Sequence, residues 1–170
     1  METSETKQWI VEALIRLLKR KNYFDITIAN ITDEALLGRR TFYRHFKSKD
    51  EVVELISLQL VDGFAGQLLA EEAKTFDEIM NSYFTFWEEN IELFLLLKKA
   101  RLLYYIEENI EALIVKVALK VGHVAGDTAD AMEIVEGHKY EFAYKLAGFW
   151  KLTLVWSEEV PRKSPEEMSR

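Results

Sequence analysis

Residues 27–47 read TIANITDEALLGRRTFYRHFK, and this stretch decides the fold. Thr27 is a helix N-cap residue, and Ile28, Ile31 and Ala35 after it keep the spacing of one buried helical face. That pattern stops at Leu36-Leu37-Gly38 and a second one starts, about Arg39 to Phe46, with Phe42 and Phe46 one turn apart. Two helices this short are marginal alone and need support from neighbours. A tight connection between them gives helix-turn-helix geometry, in which the second helix enters the DNA major groove by its N-terminal part.

The polar residues of the second helix suit that task. Arg39 and Arg40 stand at its start, where a guanidinium can donate two parallel hydrogen bonds to a guanine edge. Thr41 can meet a thymine methyl or a phosphate, and Tyr43, Arg44, His45 and Lys47 can reach flanking phosphates. Thr27 and Lys49 each sit at a helix N-terminus, where backbone N–H groups favour phosphate. With Gly38 at the N-cap of the second helix, the expected DNA-contacting set is Thr27, Gly38, Arg39, Arg40, Thr41, Tyr43, Arg44, His45, Lys47 and Lys49.

Outward from this segment the chain is helical throughout. Its 2 prolines, Pro161 and Pro165, lie near the end of the 170 residues, and no alternating strand pattern occurs. A first helix, about Glu5 to Lys21, carries Trp9, Ile10, Ala13, Leu14, Leu17 and Leu18 on one stripe. Ser48-Lys49-Asp50-Glu51 is a capping box opening a helix from Lys49 to about Ala70, and Thr75-Phe76-Asp77-Glu78 opens another. Asn90 breaks that helix from a sixth, Ile91 to about Lys99; a seventh runs from near Leu102 to Val121. Gly122 and Gly126 mark a loop, and Thr128 opens a long eighth helix to about Glu158. Ser164-Pro165-Glu166-Glu167 is a further helix start with room for barely a turn before Arg170. Phe142 to Trp156 is apolar almost all round, so that helix needs partners on most sides. Either it is the centre of a monomeric bundle, or one of its sides meets a second subunit; the second arrangement is the expected one.

Charge divides along the same line. Residues 1–50 hold 10 Lys/Arg against 7 Asp/Glu, a net +3, whereas the remaining 120 hold 12 against 22, a net −10. A basic head on an acidic body fits a polyanion contact confined to the head. Cysteine is absent, which removes disulfides and thiolate metal sites and fits a cytoplasmic protein. The longest compact apolar run, Leu93 to Leu97, is far too short for a membrane span, and the N-terminus lacks the apolar block of a secretion signal.

The stretch from Thr27 to Lys49 resembles the DNA-binding domain of TetR/AcrR-type regulators, whose core reads approximately T-x-x-x-I-A-x-x-A-G-V-S-x-x-T-x-Y-x-H-F-x-x-K. Thr27, Ile31, Ala35, Thr41, Tyr43, His45, Phe46 and Lys49 fall on that pattern. Two departures from it matter. Leu36 stands at the usual turn glycine, which implies a turn without a left-handed residue or a strained one, and Gly38 replaces the usual capping serine. FWEEN at 86–90 and GFWKLTLVW at 148–156 with SPEEM at 164–168 resemble the Firmicutes-type group that includes the dihydroxyacetone kinase activator.

The resemblance implies an all-α protein: a three-helix helix-turn-helix domain at 1–48, then a helical ligand-binding and dimerisation domain at 49–170. It implies a homodimer, here through the helix 128–158, a double-stranded DNA operator, and a small-molecule effector in the helical body. Phe84, Trp87, Tyr105, Tyr144 and Trp150 are the expected ligand-binding residues, because pockets are mostly apolar with a few polar groups. Repression relieved by that ligand is the expected output, with no cofactor and no membrane partner. The rival reading is a helical coregulator that keeps the fold without the DNA contact. Enzyme classes fall away: His45, His123 and His138 are scattered, no Glu-x-x-His pair exists, and no Gly-rich phosphate loop is present.

Overall fold

The computed structural model describes residues 2–71, 75–109 and 136–169, and every regular element among them is helical. In order these are α1 (Glu2–Leu18), a single 3-10 turn (Tyr23–Asp25), α2 (Ile28–Glu34), α3 (Arg39–His45), α4 (Lys49–Glu71), α5 (Phe76–Glu89), α6 (Ile91–Lys99), α7 (104–109), α8 (Lys139–Trp156) and α9 (Pro165–Met168). None of these helices is long and apolar enough to cross a membrane. The rest of the expected seventh helix, the loop at Gly122 and Gly126, and the start of the eighth helix at Thr128 lie outside the described residues. Residues 136–137 are helical, but His138 is a turn and the N-cap of α8, so the expected eighth helix is not continuous across 138.

Local chemistry sets the boundaries. Thr27 Oγ1 accepts from the Asn30 N–H at 3.2 Å, and the Asn30 side chain accepts from the Thr27 N–H at 3.1 Å, closing a capping box at α2. Thr75 with Glu78 and Ser164 with Glu167 do the same for α5 and α9. At α4 the reciprocal bond is displaced: Glu51 N–H donates to Ser48 Oγ, but the Glu51 carboxylate accepts from the Lys47 N–H at 2.6 Å. Asn90 ends α5.

Two compact units result. One holds the described residues up to Leu60 together with Glu92–Glu107; the other holds Val61–Ile91 with the described residues from Glu108 on. Residues 92–107 thus pack with the N-terminal helices.

In the first unit, α1 packs on α2 and α3. Ile10, Ala13, Leu14, Leu17 and Leu18 are buried as the stripe predicts, along with Ile31, Phe42, Phe46, Val52, Val53, Ile56, Phe94 and Ile106. Trp9 departs from the expectation: it is 50% exposed, and Val11 is buried instead. The stripe is rotated by part of a turn, leaving the indole at its edge beside Leu36 and Leu37 in a shallow recess.

In the second unit aromatic rings carry the core. Tyr83 lies 5.4 Å from Phe64 and 5.1 Å from Phe149, and Phe84 lies 5.4 Å from Trp156, centroid to centroid. Such edge-on and tilted ring pairs add to simple burial. At their centre the Tyr83 hydroxyl and Thr153 Oγ1 are hydrogen-bonded at 2.6 Å. Burial pushes the Tyr83 phenol up to about 12. The last helix, α9, packs on α5, and Trp156 Nε1 donates to the Lys163 carbonyl at 2.8 Å on the way there.

Candidate nucleic-acid interface

The turn between α2 and α3 is built by a left-handed leucine. Leu36 has φ 55°, its N–H donates to the Asp33 carbonyl at 3.2 Å, and the Leu37 N–H donates to the Thr32 carbonyl at 2.9 Å. Those two bonds, from the first and second residues past the helix cap, form a Schellman ending, normally made with glycine. Of the two alternatives the sequence left, the strained turn is the one adopted. Leu36 is 92% exposed, so no packing offsets the strain. The same ending recurs after α6, where Arg101 has φ 60°.

Gly38 is the N-cap of α3, with extended φ −77° and ψ 148° and no side-chain cap bond. From there α3 presents two distinct faces. Phe42 and Phe46 are buried, their rings 5.8 Å apart, and anchor the helix to the unit. Arg39, Arg40, Tyr43, Arg44 and Lys47 are exposed, while Thr41 and His45 are half-buried between the faces. The cations of this helix therefore point away from the core as one surface.

Neighbouring charges are already paired. Arg16 Nε donates to Glu34 at 2.9 Å, and Arg20 donates to the other oxygen of the same carboxylate at 2.5 Å, fixing the end of α2 to α1. These hydrogen bonds hold the Glu34 carboxyl below its ordinary range. His45 is held below the usual imidazole range by lost hydration, then by Arg44 and Lys7. Its ring is therefore neutral at neutral pH.

Lys49 is placed differently from the other basic residues. Its ammonium donates to the carbonyls of Tyr23 at 2.7 Å and Ile26 at 2.9 Å, and lies 4.3 Å from the centroid of the Tyr23 ring. The side chain is spent on the turn before α2. What Lys49 offers outward is the N-terminus of α4, whose first N–H groups have no carbonyl within their own helix. Thr27 likewise uses its hydroxyl in the α2 cap.

The five expected ligand-binding residues are divided between the two units. Phe84, Trp87 and Trp150 are buried in the second unit, with Trp87 and Trp150 6.4 Å apart. Tyr144 is 81% exposed on α8. Tyr105 belongs to the first unit, where its hydroxyl donates to Asp50 at 3.1 Å and its ring lies 4.2 Å from that of Tyr104. Sequence reasoning missed Tyr23, Asp50 and Asn30 as supports of the interface. Asn30 was findable, since an amide three residues after a threonine cap can replace the usual Glu or Gln; Tyr23 and Asp50 carry no local signal.

Among known proteins, residues 10–56 match the family of bacterial regulatory proteins, tetR family. No curated protein and no solved structure matches the chain. The matched segment runs from within α1 into α4 and so encloses the helix-turn-helix whole. The N-terminal domain is a tetR-type helix-turn-helix domain followed by further helices, and the chain is a DNA-binding transcriptional regulator.

Proposed function

We propose that this regulator is a cytoplasmic repressor that binds its operator as a homodimer and leaves it when a small apolar or aromatic ligand occupies the helical body. The observation carrying the DNA half of this reading is α3 itself: its cations face outward while Phe42 and Phe46 hold it from behind. Arg39 and Arg40 read base edges, and Thr41 meets a base methyl or a phosphate. Tyr43, Arg44, His45 and Lys47 bind phosphate; Gly38 and Lys49 contribute through backbone N–H groups at helix starts, and Thr27 contributes by capping the start of α2.

The homodimer reading is supported by α8. Tyr140, Tyr144, Leu152 and Val155 are exposed there, and apolar groups of this size on one helix favour burial against a second copy. A dimer would place two α3 helices for half-sites about 34 Å apart. The buried aromatics Phe84, Trp87 and Trp150 support an apolar effector, which must bind two head spacings unequally to act. The Firmicutes-type group, suggested by FWEEN and SPEEM, remains the proposed branch.

The test is selection of duplexes from a random-sequence library on the full chain, followed by titration at several salt concentrations. We expect a palindromic site, two chains per site, and affinity that falls steeply with salt. Arg39→Ala and Arg40→Ala should each relax selectivity by about 1–3 kcal/mol with the fold intact. A chain that enriches no sequence, and whose weak binding ignores salt, is a coregulator instead.

A further inference from the structure

Tyr23 and Lys49-Asp50 flank the recognition stretch, one before α2 and the other after α3. The structure joins them side to side. Lys49 Nζ donates to the Tyr23 carbonyl at 2.7 Å, and the Tyr23 hydroxyl donates to Asp50 Oδ1 at 2.6 Å. The helix-turn-helix is thereby closed at its neck by two charge-assisted bonds on one tyrosine.

A third chain segment enters the same neck. Tyr105 donates its hydroxyl to that same Asp50 oxygen at 3.1 Å, while its carbonyl accepts from Ser57 Oγ at 2.6 Å. Asp50 and Ser57 lie two turns apart on one face of α4, so Tyr105 is clasped along that helix at both ends of the residue. Burial first, and then Asp50, raise the Tyr23 phenol; burial, then the neighbouring Tyr104 and Asp50, raise that of Tyr105. Both phenols therefore remain donors, and Asp50 is the common acceptor.

Resting on the DNA-binding reading above, we propose that Asp50 is a positioning residue for DNA recognition: by gathering the hydroxyls of Tyr23 and Tyr105 on one oxygen, it lets the 102–107 segment hold the neck of the helix-turn-helix closed. The physical reason lies in the size of the parts. α2 and α3 have 7 residues each and cannot hold their orientation alone. Closing their flanks removes freedom that DNA binding would otherwise have to remove. Asp50 itself touches no DNA in this account. A carboxylate near a polyanion repels it, so its value to binding has to come through the neck.

That sign makes the test decisive. The full chain is titrated with a duplex enriched from a random library, well below its melting temperature, as wild type, Tyr105→Phe, Asp50→Asn and Asp50→Ala. Loss of the single hydroxyl in Tyr105→Phe should weaken affinity about five-fold, and loss of both bonds in Asp50→Ala about ten-fold or more. Asp50→Asn keeps Oδ1 as an acceptor and should fall between Asp50→Ala and wild type. In the DNA-free protein, hydrogen exchange of the amides of Tyr23 through Ile26 should quicken in Tyr105→Phe. Tighter binding by both Asp50 variants would reduce Asp50 to a repelling charge and overturn the proposal. So would unchanged affinity and unchanged exchange in Tyr105→Phe, whose ring is retained and whose folding is not at risk. If wild type enriches no duplex, the DNA reading fails, while the exchange measurement still reports on the neck separately.

Discussion

Replacing Lys49 by methionine separates a structural cation from the phosphate-binding ones. Methionine keeps the length of the stem and removes the ammonium. Two carbonyls then lose a donor: Tyr23 O retains the Ile26 N–H at 3.1 Å, but Ile26 O has no such second bond among the described residues. A hydrogen bond from a charged donor contributes about 1.5–3 kcal/mol, and we take the Ile26 bond whole and the Tyr23 bond at about half. The ammonium over the Tyr23 ring adds about 0.5–1 kcal/mol. The site is partly open to water, which can replace some of this, so we expect a loss of about 3 kcal/mol. For a chain of this size that corresponds to a drop in melting temperature of about 6–12 °C, read by circular dichroism. The slope of log K against log salt should not change at temperatures where the variant is folded. The companion variant Lys47→Met should do the reverse, leaving the melting temperature in place and flattening the slope by about 0.9. If Lys49→Met melts within 2 °C of wild type (roughly 1 kcal/mol or less) while its salt slope falls, the ammonium is a phosphate contact and the assignment drawn from the bond geometry is refuted.

Leu36→Gly should stabilise the fold by about 0.5–1 kcal/mol, the left-handed strain relieved at an exposed site exceeding the added freedom of glycine in the unfolded chain; denaturant melts that show destabilisation would contradict the strain. Gly38→Ser has open space for its side chain and should stabilise α3 by a few tenths of a kcal/mol, about two-fold tighter DNA binding accompanying it through one more phosphate donor; equal affinity would remove the hydroxyl from the account. His45 has a depressed folded pKa, so neutral imidazole favours the fold above the ordinary value of 6.5, and that share of stability is lost as pH falls through the folded value. Bound DNA favours the charged ring, so affinity should rise as pH drops below about 6.5 and the rise should vanish in His45→Gln; the same pH profile in both proteins would exclude His45 from the contact. Thr153→Val removes a partner from the Tyr83 hydroxyl in a buried ring cluster and should cost about 1–2 kcal/mol, measured by urea unfolding, with no cost expected only if the hydroxyl re-pairs.

Much of the fold is legible without coordinates because its determinants act within a turn or two. Thr27, Thr75 and Ser164 cap helices whose starts follow from the next three residues, and Asn90 ends α5 where a break is expected. The alternation of Phe42 and Phe46 with Arg39, Arg40, Tyr43 and Arg44 already states which side of α3 is buried. Sequence alone therefore determined the helical class, the helix-turn-helix and the identity of its outward chemistry. Tertiary structure decided what each long side chain reaches. Lys49 looks like any basic residue at a helix start until the carbonyls of Tyr23 and Ile26, distant in sequence, come within 3 Å (the reach of a hydrogen bond). Trp9 fits a buried stripe until the exact rotation of α1 leaves it at the rim. Tyr105 reads as a body aromatic, yet a clasp on α4 assigns it to the head. Caps and periodicity are short-range and so are written locally; the partner of a flexible charged or phenolic group depends on which distant backbone the fold brings to it.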